Sequence, residues 1–201
     1  MNFYNEYFNP SAPARGAVEE AEEKFVKPCR IRELSRAGSV KILDVCFGIG
    51  YNSLSAIKSA LEENPKCKVS ITGLENCAEV IEKIEPINFE GGLGRYYGLI
   101  KRRKSGNVDL RIIVGDARES VKKLGCCFDA VFFDPFTRRA CPELWQKQFL
   151  EDVSKVMKKG AVLATHSAGS YVKNVLADAG LIVKLRPRSG RWAESAFAVK
   201  P

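Results

Sequence analysis

"KILDVCFGIGYNSLSA", Lys41 to Ala56, passes from an apolar run ending at Asp44, through glycines at 48 and 50, into apolar residues at helical spacing. A strand feeding a glycine turn and then a helix leaves backbone N–H groups where a ligand can approach without meeting a Cβ. The same unit recurs downstream. The spacing predicts strands over 40–46, 68–74, 109–114, 129–133 and 160–165, alternating with helices over 52–63, 77–84, 117–124, 143–157 and 169–179. Repeats of this size build a parallel sheet with helices on both faces. The end of the chain differs: "LIVKLRP" and "ESAFAVK" are separated by "RSGRWA", too short for a crossover helix, so they form an antiparallel hairpin. The expected fold is α/β, with a seven-stranded, mostly parallel sheet.

With 201 residues, 45% of them hydrophobic, the chain can bury one full core and is short for two. Residues 1–39 read as a helical lead packed on that core, with a helix from near Ala17 that stops before Pro28. Residues 40–201 read as the domain itself, interrupted by an irregular insertion over 85–107. No apolar run nears the roughly 20 residues of a membrane span, and the first 15 residues lack the apolar core of a signal peptide. A soluble, cytoplasmic protein is expected. Seven cysteines without a C-x-x-C pair, mostly inside apolar stretches, point to a reducing compartment, and with His166 as the single histidine no metal site is expected. The net charge of +8 is segregated: "RYYGLIKRRK" (95–104) and "KLRPRSGR" (184–191) hold no acid, whereas the N-terminal "EEAEE" is acidic. Such segregation suits a polyanionic partner.

Ligands of such sheets bind at the carboxyl ends of the strands. After the first strand, a G-x-G-x-x-G fingerprint would need glycine at 53, where the chain has Ser53. The pattern acid-x-G-x-G-x-G fits instead as Asp44, Cys46, Gly48 and Gly50, with cysteine in the first glycine's place. Glu75, after the second strand, suits the hydroxyls of a ribose, and a helix-capping acid explains it as well. Asp116, after the third, suits an adenine amino group, and "DARE" also reads as a capping box. After the fourth comes "FFDPFTRRACPELW" (132–145), whose Asp134 lies between aromatics and can hold an amine and accept its proton. His166 follows the fifth strand, where a packed histidine and a pocket-lining one are both open readings. Neither Ser167 nor Ser170 sits in a nucleophile elbow.

Five parallel strands followed by an antiparallel pair resemble the Rossmann-like class I methyltransferases that use S-adenosylmethionine. Several stretches in order resemble, more narrowly, the methyltransferase module of the MnmC family, which methylates 5-aminomethyl-2-thiouridine in tRNA: "GAVEEA" (16–21), "LDVCFGIGYNSL" (43–54), "FFDPFTRRACPELW", "THSAGSYVKNVLADAG" (165–180) and "SGRWAE" (189–194). The resemblance implies an S-adenosylmethionine site made by Phe47, Gly48, Gly50, Asn52, Glu75 and Asp116. Asp44 and Ala117 are counted with them. It gives Asp134 the catalytic, amine-facing role and makes Pro135, Phe136 and Arg138 substrate contacts. It also implies a tRNA anticodon stem-loop as substrate. The sequence holds no second nucleotide-binding fold matching the FAD-dependent oxidase half of the bifunctional enzymes, so a separate enzyme is expected to supply the aminomethyl-uridine. In "SGRWAE", Trp192 and Ala193 stand where the family tends to have Lys and Arg. In the insertion, Tyr97 is expected to stack on a splayed base while Arg102 and Arg103 meet phosphates. Methyl or aminopropyl transfer to another amine, and a non-catalytic RNA-binding relative, are the alternatives.

Overall fold

The computed structural model describes all residues except 1–13, 90, 189 and 191. The start of the N-terminal lead, and Ser189 and Arg191 of "SGRWAE", lie outside the described residues. Helix α1 (Ala14–Ala21) runs into a π-helical turn (Glu22–Val26), and α2 (Ile31–Arg36) precedes β1 (Ser39–Val45). Then follow α3 (Tyr51–Glu63), β2 (Lys68–Glu75), α4 (Ala78–Glu82), α5 (Gly92–Arg102), β3 (Lys104–Ser105) and β4 (Val108–Val114). The second half comprises α6 (Ala117–Val121), β5 (Phe128–Phe133), α7 (Lys147–Val156), β6 (Met157–Thr165), α8 (Ser170–Asp178), β7 (Ile182–Arg186) and β8 (Ser195–Val199).

The sheet has eight strands in the order β3-β4-β2-β1-β5-β6-β8-β7. Pairings among β4, β2, β1, β5 and β6 are parallel, and β8 is antiparallel to both β6 and β7. The eighth strand, absent from the seven-stranded expectation, is β3, a two-residue antiparallel partner of β4 that closes the insertion. From β1 the chain steps outward to β2 and β4, then returns to place β5 on the other side of β1. The crevice between β1 and β5 is therefore the switch point at which open α/β sheets take ligands.

Side chains alternate across each strand, and both faces are buried. Val40, Ile42, Ala130 and Phe132 face the cluster under α1, α3 and α5. Leu43, Val45, Val131 and Phe133 face the cluster under α6, α7 and α8. Ile42, Leu43, Phe132 and Phe133 are fully buried, each stabilising the fold by roughly 1.5–3 kcal/mol relative to exposure. Among the described residues no helix is long and apolar enough to cross a membrane. All seven cysteines are free thiols.

The insertion is the main departure from expectation. It is not irregular: α5 occupies its second half, with Leu93, Tyr96, Tyr97 and Ile100 packed into the core. Their spacing of three, four and seven residues makes one helical face. The helix ends at Arg103, which takes a left-handed φ of 62° and whose carbonyl accepts from Leu110 N at 2.6 Å. Elsewhere, the helix expected over 143–157 divides into a 3-10 turn (Pro142–Trp145) and α7, while β6 starts three residues before its expected position.

Candidate active site

Beyond β1 the chain makes a tight turn in which Cys46, Gly48 and Gly50 all have positive φ, at 66°, 57° and 86°. Cys46 thus takes, as a non-glycine residue, the conformation for which the missing first glycine would be suited. The turn is anchored by Cys46 N and Phe47 N, both donating to Leu74 O at 3.0 Å. The Phe47 ring fills the space left by two glycines: a Cβ on Gly50 would come within 2.8 Å of the ring, and one on Gly73 within 2.6 Å. At Gly48 a Cβ would meet nothing within 4 Å, so that glycine is required by its backbone angle alone.

The acids at the strand ends differ in environment. Asp44 is in phase with Val40 and Ile42 and so faces α3. It is fully buried, its Oδ2 accepts from Ser53 Oγ at 2.6 Å, and its Oδ1 has no hydrogen-bond partner. Desolvation pushes its carboxyl well above the ordinary range, the Ser53 bond opposing this and the Asp134 and Glu75 carboxylates adding to it. It does not line the cavity, so its assignment to the cofactor is corrected: Asp44 is a strut beneath the turn. Glu75 also braces backbone, Oε2 accepting from Gly48 N at 2.9 Å and Oε1 from Cys77 N at 3.0 Å, yet it remains on the cavity wall. Asp116 caps α6 by accepting from Arg118 N at 2.8 Å. The Arg118 guanidinium also bonds both its oxygens, and this holds the Asp116 carboxyl below the usual carboxylate range.

Asp134 follows β5 directly and is in phase with Phe132, hence toward α3. Asn52 Nδ2, in the first turn of α3, donates to Asp134 Oδ2 at 2.8 Å. From the end of β6, His166 Nδ1 lies 2.7 Å from Oδ1. Three elements thus hold one carboxylate. His166 was an open reading in the sequence; its pairing depends on the β5–β6 register, and the only local signal was its place at the same sheet edge.

The loop after Asp134 is framed by a buried tryptophan. Trp145 Nε1 donates to Phe136 O at 2.8 Å, and Tyr171 OH donates to Trp145 O at 2.8 Å. Phe136 and Tyr171 stay exposed, at 44% and 43%. The Arg138 guanidinium lies over the Tyr171 ring, 4.3 Å from its centroid. Pro135 is buried and does not line the cavity. Tyr171 sits beside this loop and outside the cavity lining; its stretch, "THSAGSYVKNVLADAG", is part of the family resemblance, which gives the tyrosine no role.

These groups surround a cavity of about 640 Å³. Phe47, Gly48, Asn52, Glu75, Asp116 and Ala117 line it together with Asp134, Phe136 and His166; Gly50 lies behind the Phe47 ring. The volume and the mix of apolar wall with a few convergent polar groups suit a nucleoside-sized ligand. The N-terminal lead contributes Ala17, Glu20, Ala21 and Phe25 to the wall.

The insertion residues assigned to substrate do not reach this rim. Tyr97 is 1% exposed, packs edge-on to Phe89 at 4.6 Å between centroids, and donates its hydroxyl to Ile49 O at 3.0 Å. It cannot stack on an incoming base, because that helical face is spent on the core. Arg103 is half-buried, with Nη1 enclosed and unpartnered. Arg102 is exposed, but the segment leads into β3, which pairs with the start of β4. That is the amino edge of the sheet, about 20 Å along the strands from the carboxyl edge at 3.3 Å per residue.

Comparison with known proteins agrees with this geometry. A family model described as S-adenosyl-L-methionine-dependent methyltransferase matches residues 96–201. An uncharacterized protein of Methanocaldococcus jannaschii is 28% identical over 92% of this chain and 52% of its own length. The bifunctional protein MnmC of Leptospira interrogans, named for tRNA 5-methylaminomethyl-2-thiouridine biosynthesis, is 26% identical over 94% of this chain and 31% of its own. The chain thus spans about half of the first relative and a third of the second. The crystal structure of the MnmC2 protein of Aquifex aeolicus superposes with a TM-score of 0.81 at 28% identity, covering 90% of this chain and 60% of that one. From fold, cavity and family match together, the chain belongs to the S-adenosyl-L-methionine-dependent methyltransferase family, and it is similar to the MnmC proteins over most of its length.

Proposed function

We propose that this protein transfers the methyl group of S-adenosylmethionine to the aminomethyl nitrogen of a modified wobble uridine in tRNA. The observation that carries the reading is Asp134, a carboxylate fixed from two sides at the cavity wall. Both of its oxygens keep lone pairs with which to hold an amine.

The positive-φ turn of Gly48 and Gly50, with Glu75, Asp116 and Ala117, would hold the nucleoside part of the cofactor, and Phe47 supports that turn from beneath. When bound, S-adenosylmethionine supplies an electrophilic methyl carbon on a sulfonium, which a neutral amine takes with its lone pair while the C–S electrons stay on sulfur. The protein then has to align the amine, exclude water and remove one proton. Asp134 binds the amine as a cation, and the wall provided by Phe25, Leu74 and Leu144 keeps that attraction in a poorly hydrated setting. Phe136, Arg138, Arg139 and Tyr171 form the rim for RNA: two exposed rings, and two exposed arginines that make no ion pair among the described residues. Stacking plus positive charge is how splayed RNA bases are taken up. The names of the MnmC relatives support the tRNA substrate. The setting would be the cytoplasm.

One observation favours a second reading, transfer to a small polyamine-like molecule. Five carboxylates, Glu20, Glu75, Asp116, Asp134 and Glu143, line the cavity. Three are engaged already: Glu20 by Lys24, Glu75 by backbone N–H groups and Asp116 by Arg118. Asp134 and Glu143 remain, fewer than the several acids that a polycation would need. Incubation with labelled cofactor and tRNA carrying aminomethyl-uridine, beside a polyamine control, separates the readings. Label in the methylaminomethyl nucleoside is the expected result, and label only in the polyamine would replace it with the second reading. Calorimetric titration with the cofactor tests the non-catalytic alternative, which predicts no binding.

A further inference from the structure

Asp134 is commonly the kind of residue one would assign as the base in such a site, yet the structure gives it a partner better suited to that task. A carboxylate only accepts hydrogen bonds, so the 2.7 Å contact between Asp134 Oδ1 and His166 Nδ1 requires the proton on Nδ1. In the neutral ring this leaves Nε2 with the lone pair. His166 lines the cavity, with about a third of its side chain exposed, and its Nε2 has no hydrogen-bond partner among the described residues. Asn52 fixes the other carboxylate oxygen at 2.8 Å, so the carboxylate that aims the ring is itself held.

We infer that Asp134 and His166 form an oriented dyad in which Nε2 of His166 is the proton acceptor of the site, while Asp134 fixes the ring's tautomer and draws the incoming ammonium to the cavity wall by its charge. The inference rests on the amine reading above. The step balances simply: an N–H bond of the ammonium breaks, its electron pair stays on nitrogen as the lone pair that attacks carbon, and the proton forms a new bond to Nε2. The imidazolium that results is stabilised by Asp134, as carboxylate–imidazole pairs do elsewhere, and it returns the proton to solvent through the cavity mouth.

The other titratable groups around the cavity are shifted by burial or already engaged. Burial pushes the Cys46 and Cys141 thiols up, Cys141 to about 11, and it also raises the Tyr51 phenol. Arg118 holds Asp116 ionised, Glu75 is bound by two backbone N–H groups, and Glu20 is paired with Lys24. Glu143 is the remaining carboxylate on the wall.

His166 is the single histidine in the sequence, so its nitrogen resonances can be assigned without ambiguity. In this 201-residue chain, nitrogen-15 spectra should show the neutral ring as the Nδ1–H tautomer, and Asp134→Asn should shift it toward Nε2–H. A wild-type ring in the Nε2–H form would overturn the dyad, whatever the substrate proves to be. With aminomethyl-uridine tRNA as acceptor, wild-type kcat/KM should fall at low pH along a one-proton limb. His166→Gln should lose at least a hundredfold at neutral pH and lose that limb, with cofactor affinity within about twofold. A His166→Gln enzyme with the wild-type rate and limb would return the base to Asp134. Wild-type protein that shows the Nδ1–H tautomer but methylates no amine-bearing RNA would sink the substrate reading while leaving the dyad standing.

Discussion

Two segments of this chain look alike as sequence: "RYYGLIKRRK" at 95–104 and "DPFTRRACPELW" at 134–145. Each combines two aromatic rings with basic residues, and the first has more of the latter. Their fates in the fold are opposite. In the first, both tyrosines are buried and the basic tail leads away to the amino edge of the sheet. In the second, Phe136 stays exposed at the cavity and the two arginines lie on a loop that begins at the carboxyl end of β5. A helix with apolar residues at 93, 96, 97 and 100 must bury that face to be stable in water. A loop whose backbone is held by a buried Trp145 has no such obligation. Composition suggested a nucleic-acid surface in the insertion; period and anchoring decided which aromatic rings stay exposed.

Four experiments sharpen or break this contrast. The largest effect belongs to the anchor of the second segment. Asp134→Asn should reduce kcat/KM for methyl transfer by about 10²–10⁴, with cofactor binding by calorimetry near normal, whereas Arg102→Ala should stay close to the wild-type rate. An Asp134→Asn enzyme of full activity would remove the carboxylate from the chemistry altogether.

Next come the aromatics. Tyr97→Ala should destabilise the protein by about 3–5 kcal/mol, the usual cost of truncating a buried ring, and Phe136→Ala by less than about 1 kcal/mol. Chemical denaturation reads both. Equal losses would mean that the two rings are equivalent and the contrast is false. The charges should separate as well. Reversing Arg138 and Arg139 to Glu should weaken tRNA binding and flatten its dependence on log salt by about 1 for each phosphate no longer neutralised. Reversing Arg102 should change the slope little, and a larger effect at Arg102 would restore the insertion as the RNA surface.

The smallest effect concerns Asp44. Its folded carboxyl titrates above its unfolded value because burial disfavours the charge. The stability tied to it is complete below the unfolded value near pH 4 and is lost as pH rises through the raised folded value. Asp44→Asn cannot ionise, so its melting temperature should gain on wild type as pH goes from 4 to 8. A difference that is flat with pH would show that the carboxyl is not kept neutral by its burial.

Much of the site was legible because it is local. Gly48 and Gly50 are demanded by a turn that the adjacent strand and helix define, and Glu75 and Asp116 stand where strands end. Counting in twos from Val40 puts the Asp44 carboxyl on the α3 face of the sheet, but that it is enclosed there against Ser53 depends on the packing of α3. The buried face of α5 was present in the spacing, but clustered charge and glycine masked it. The pairing of Asp134 with Asn52 and His166 was not legible by any local rule. Those residues lie 82 and 32 positions from Asp134 and meet only through the parallel register of β1, β5 and β6.

By itself, then, the sequence determined the alternation of strands and helices, the reversed strand pair at the end and the glycine turn after β1, because hydrophobic period and backbone sterics act over a few residues. Only the tertiary structure decided which tyrosines serve the core, that Asp44 supports rather than binds, and that one histidine meets one carboxylate at the cavity wall. Side chains distant in sequence become neighbours through sheet register and helix packing, and those are set by the burial of the whole core at once.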